Sequence, residues 1–170
     1  MLANMSSRNL EASKLQEDLS ERVISSILMS LAEKQIARSF IEELLNKGNL
    51  ENVDTYVTPD FIYHNIAEDL KGIENFKKCA ESDHITFHDI QYSFVDSIAE
   101  DGKVVIVCIV EARHVKEFRG IAATHKKVET VVVIIFHFEG NKIKEAWAVA
   151  DGLTAAFQLG VVKTLFRESG

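Results

Sequence analysis

The chain has 170 residues, 46% hydrophobic and 26% charged, with a formal net charge of −7, which fits one globular domain with an appendage and excludes disordered and fibrous classes. Its 19 basic against 26 acidic residues, with no dense basic stripe, exclude nucleic acid as the expected partner. The longest apolar runs, 104–110 and 131–136, fall far below the roughly 20 residues of a membrane span.

The first 22 residues turn charged before any apolar segment of secretory length, so a cytoplasmic protein is expected. From Leu10 to Leu31 the apolar positions Leu15, Leu19, Val23, Ile27 and Leu31 recur every fourth residue, which predicts a helix with a stripe to bury. A second helix is predicted from Glu33 to Asn46, stopped by Gly48, and a short third one over NLENVDTYV. Thr58-Pro59-Asp60 holds the only proline and reads as a turn. FIYHN reads as a short strand, and Gly72 opens a helix that runs to Asp83. From Ile85 onward four long strands follow, with turns at Glu100-Asp101-Gly102 and Glu139-Gly140-Asn141 and a looser loop around Arg119-Gly120. Helices followed by an antiparallel meander make the predicted class α+β: a cone-shaped, half-open barrel whose curved antiparallel sheet packs on N-terminal helices around one apolar pocket. The expected division is an N-terminal helical extension at 1–32, the barrel domain at 33–160 and a tail at 161–170.

No glycine-rich phosphate loop, nucleophile elbow or metalloprotease helix is present. Cys79 and Cys108 have no close-spaced partner and read as reduced, buried thiols. His84 and His88, four apart on a predicted strand beside Asp89, lack the third converging ligand a metal needs, so no metal is expected. His64, at the end of FIYHN, is a candidate acid, base or hydrogen-bond donor at the barrel mouth, or simply a satisfied polar residue there. His114 ends a strand on the face of Ile106, Cys108 and Ala112; His125 and His137 read as solvated. Trp147, the only tryptophan, shares a strand face with Ile143, Glu145 and Val149 and reads as core or interface packing. Asp151 and Gly160 bracket a short helix as N-cap and C-terminal stop, a role that by itself accounts for the aspartate.

The stretch ARSFIEELLNKGNLENVDTYVTPDFIYHN, followed by LKGIENFKK, EARHVKEFRGI and EGNKIKEAWAVADGLTAAFQLG, resembles the SnoaL-like polyketide cyclases, also called ester cyclases, of the nuclear-transport-factor-two-like superfold. The resemblance runs from about residue 34 to residue 160. It implies a homodimer built across the sheet, a pocket between sheet and helices for a small apolar or polycyclic molecule, and no metal or organic cofactor. It also implies an acid/base histidine and aspartate on the last strand, but alignment on Trp147 and Asp151 puts Ala146 and Ala148 at those positions, and Val132 and Ile134 where further polar groups are usual. The wall that should be catalytic reads as apolar and widened.

Two readings follow. In the first, the protein is a cofactor-free cyclase-type enzyme in which His64, His114 or Asp151 moves the proton. In the second it is a non-catalytic binding or dimerisation module. In both, the expected ligand wall comprises Phe40 and Tyr63, Val132 and Ile134, and Ala146, Trp147 and Ala148. A third possibility, compatible with either, makes the N-terminal helix an assembly element.

Overall fold

The computed structural model describes residues 2–65 and 68–162, with side chains described from residue 14 onward; the expected tail beyond residue 162 lies outside the described residues. Helix α1 (Leu2–Phe40) runs straight into a π-helical turn, Ile41–Asn46, so the break expected near residue 32 does not occur. Ala32, Glu33, Lys34 and Gln35 are good helix formers, and no glycine, proline or cap residue interrupts them. A 3₁₀ turn (Leu50–Asn52) and α2 (Val53–Tyr56) lead into β1 (Val57–His64). Pro59 lies inside β1, where the register shifts between Val57 and Ile62, rather than in a turn; a bulge is where a strand tolerates a residue without an N–H.

After β2 (Asp69–Lys71), α3 (Ile73–Thr86) starts behind Gly72, whose φ of 83° favours glycine. This helix continues past Asp83 to Thr86, so His84 is on a helix and His88 on β3 (Phe87–Glu100), and the two do not share a strand face. Strands β4 (Lys103–His114), β5 (Lys127–Glu139) and β6 (Lys142–Ala150) complete a six-stranded sheet in the order β2-β1-β6-β5-β4-β3, antiparallel except for the β1–β6 pair. Helix α4 (Gly152–Leu159) ends the described chain.

Strand β4 shows how the sheet divides inside from outside. Val104, Ile106, Cys108, Val110, Ala112 and His114 are buried, and the residues between them face outward. The pairings Val132–Ala150, Ile134–Ala148 and Phe136–Ala146 carry the inner face across to β6. A register shift between His137 and Phe138 breaks this alternation, so Ile143 is fully buried rather than sharing the face of Trp147. Bulges in β3, between His88 and Gln91 and between Phe94 and Asp96, bend the sheet around the helices. The narrow end is filled by aromatic rings: Phe40 contacts Tyr56, Phe61, Phe76 and Phe136 at centroid distances of 5.5–6.4 Å. Asn46 fastens the π-helical turn to β3 by accepting from the Tyr92 N–H at 2.7 Å and donating to its carbonyl at 3.2 Å.

Candidate functional site

The wide end of the cone is not filled. Between α3, the inner faces of β3 to β6 and α4 lies a pocket of about 200 Å³. Its walls are Phe87, Ile90, Val110, Ala112, Val132 and Ala150, and its polar groups are Asp83, Tyr92 and Thr130. Larger clefts, of about 360–510 Å³, lie along α1 and at Glu111, Glu129 and Gln158, lined by serine, charged and turn residues or by one flank of α1 alone. The pocket, open to solvent at Asp83 and Ala150, has the apolar lining and few convergent polar groups of a ligand site.

Asp83 is the only acid in that lining. Its side chain reaches solvent at the rim, yet the surrounding protein strips enough hydration to raise its pKa above the ordinary 3.8, with the charges of His84 and Arg119 opposing the shift. The carboxylate in turn disfavours ionisation of Tyr63 and Tyr92, whose phenols burial already pushes well up. Tyr92 therefore stays a neutral donor across the physiological range. A carboxyl group of elevated pKa and a neutral phenol in one apolar pocket can take a proton from a substrate carbon and hold the oxygen where charge develops.

The three expected acid/base residues are not brought together. His64 lies on the opposite face of the sheet, because Phe61 and Tyr63 of the same strand turn inward to Phe76. Its ring stacks on Trp147 at 4.3 Å and its Nδ1 is 2.6 Å from Asp69 Oδ1. His137 packs against the other part of the Trp147 indole at 4.4 Å, half-buried rather than solvated. Desolvation lowers the His137 pKa, with Lys103 and His64 adding to the effect and Glu145 opposing it.

His114 is fully buried on the inner face, its ring against Phe87, which lines the pocket. The Thr124 N–H donates to His114 Nδ1 at 3.3 Å, which puts the ring proton on Nε2, and that atom has no partner among the described residues. Asp151 is exposed and accepts from the Thr154 N–H at 3.0 Å and the Thr154 hydroxyl at 2.6 Å. These bonds lower its pKa, so it is a fixed carboxylate capping α4. Asp151→Ala should lower the urea unfolding midpoint and leave ligand affinity within twofold; a loss of binding without that loss of stability would give the carboxylate a direct role.

Of the expected ligand wall, Val132 lines the pocket. Phe40, Ile134 and Ala146 belong to the packed core, with Tyr63 and Ala148 against it. Trp147 faces away, as the pairing of Ile135 with Trp147 requires when Ile134 and Ala148 point in. Helix α4 covers the pocket and is tied back to the free edge of β5 by Gln158, which accepts from the Glu129 N–H at 2.7 Å and donates to its carbonyl at 2.8 Å.

Residues 35–159 match the family model described as SnoaL-like polyketide cyclase. Among solved structures, TsrD from Streptomyces laurentii is similar at a TM-score of 0.69 and 24% identity, over 78% of this chain and 97% of that one. A SnoaL-like polyketide cyclase from Agrobacterium tumefaciens is similar at a TM-score of 0.65 and 16% identity, over 75% of this chain and 98% of the other. No curated protein matches the sequence.

Proposed function

The chain belongs to the SnoaL-like polyketide cyclase family, and from that membership we propose that it performs cofactor-free acid/base chemistry on a small, largely apolar carbonyl compound, with Asp83 as the proton-transfer group. One observation carries the reading: a single carboxyl in a largely apolar pocket that also presents the phenol of Tyr92, its pKa raised by the protein around it. The acid/base function lost where Ala146 and Ala148 stand is thereby supplied from the end of α3. His114 supports the site through Phe87 rather than by touching substrate.

Pocket volume restricts the ligand. A cavity of about 150 Å³ holds one benzene ring, so about 200 Å³ seats one or two fused rings, with any further ring at the open mouth. The bicyclic ketone 2-tetralone has the size and an acidic C–H. The protein should accelerate exchange of its α-protons in deuterium oxide, followed by NMR, and Ala112→Phe should abolish both binding and exchange. Binding without acceleration would favour the second reading, a ligand carrier, for which the apolar wall of Val110, Ala112, Val132 and Ala150 speaks. Absence of binding would remove both.

The same reading makes the outer sheet face a homodimer interface. Ile98, Val105, Ile135, Trp147 and His64 form one cross-strand row, with Val107, Val133 and Val149 beside it. A contiguous apolar face of this kind is the usual mark of an association surface. The cytosol is the proposed compartment, consistent with Cys79 and Cys108 being free thiols. No described helix is long and apolar enough to cross a membrane.

A further inference from the structure

Ahead of the family domain, α1 carries eight large apolar side chains from Leu15 to Leu31, and each is more than half exposed. Residues 23–32, VISSILMSLA, contain no charge. One side of this stretch overhangs the β3–β4 turn at Asp101 and Gly102, while Ile24, Leu28 and Ala32 line a shallow groove on another side. A helix apolar over so much of its circumference is ordinarily a buried one. Burial begins only at Glu33, where the helix enters the domain.

We propose that residues 14–31 of α1 pair with the same segment of a second copy of the chain. Each partner in a standard protein interface contributes roughly 800 Å²; six of the eight side chains, Leu19, Val23, Ile24, Ile27, Leu28 and Leu31, fall on one half of the helix circumference and offer apolar area approaching that. An isologous contact lets one exposed stripe cover its own equivalent. Glu17, Asp18 and Glu21 at the outer end of the stripe disfavour an anionic lipid surface as the occupant. The pairing also supplies the segment with tertiary packing, from which most helical stability in proteins comes.

Full-length protein is compared with the double variant Ile24→Glu, Leu28→Glu and with the sheet-face variant Val149→Glu by sedimentation velocity at about 50 µM, with vesicle flotation alongside. The helix variant should halve the mass of the wild-type assembly without moving the domain's melting midpoint, since neither side chain packs against the domain core. Wild-type helicity measured by circular dichroism should rise with protein concentration, and that of the helix variant should not. A mass that Val149→Glu halves and the helix variant leaves unchanged, or a monomeric wild type, would overturn the pairing while leaving the pocket reading untouched. Flotation with phosphatidylcholine vesicles that the helix variant loses, without any change in mass, would assign the face to a membrane and overturn the proposal as well.

Discussion

Replacing Asp83 with asparagine should slow proton exchange on a pocket-bound ketone by about 10²–10⁴-fold while leaving the melting midpoint at pH 7 unchanged or higher. The two effects separate because burial raises the pKa of this carboxyl above its ordinary 3.8. A raised acid binds its proton more tightly folded than unfolded. Its stabilising contribution is therefore complete below pH 3.8 and is lost as pH rises through the folded value. At neutral pH the ionised carboxylate weighs against the fold, and asparagine, nearly the same shape and uncharged, removes that cost. As a general base the same group gains activity as pH rises through the folded value, so the acid limb of the exchange profile should lie above pH 3.8. Exchange rates across pH 4–8, with thermal melts at both ends, check both parts. A variant that lost stability and activity in proportion would make Asp83 structural, and one retaining full activity would move the proton transfer elsewhere.

The position of Asp83 was open to sequence reasoning through a different principle from the one that selected the histidines. An acid in the last turn of a helix opposes the partial negative charge of the helix C-terminus, and α3 ends at Thr86. Such a conflict between local preference and occupancy often marks a functional position. His64 shows the converse: Phe61 and Tyr63 make the inner face of β1 legible, and alternation then turns His64 outward to Trp147. The strand order from β3 to β6, the shared face of the alanines on β6 and the two caps of α4 followed from period-two patterning and turn residues, while the inward direction of that face came from the family resemblance. Departures from that patterning did not follow, since bulges at Asp89 and Val95 and the shift beside Phe138 insert single residues without a distinctive sequence. The exposed stripe of α1 is a third case, because periodicity reports that a face is apolar and not what covers it.

Phe40→Ala should cost about 3–5 kcal/mol, the largest stability loss expected from a single side chain here. Phe40 has no exposed surface and touches four other aromatic rings, contributed by α2, β1, α3 and β5. Truncation removes the ring's transfer free energy and leaves a void, and neighbours anchored on four separate elements cannot collapse together to fill it. For a chain of this length the melting midpoint should fall by roughly 6–20 °C. Phe40→Leu, which keeps most of the volume, should lose less than half as much. Because Phe40 stands where the buried part of α1 meets the sheet, the variant should also speed amide exchange in the π-helical turn, Ile41–Asn46, and in β3 opposite Asn46. Exchange at residues 14–31 should not change, since none of that segment's support comes from this ring. Equal acceleration along the whole of α1 would mean that the exposed helix and the domain unfold as one unit, and the boundary drawn at Glu33 would then have no energetic meaning.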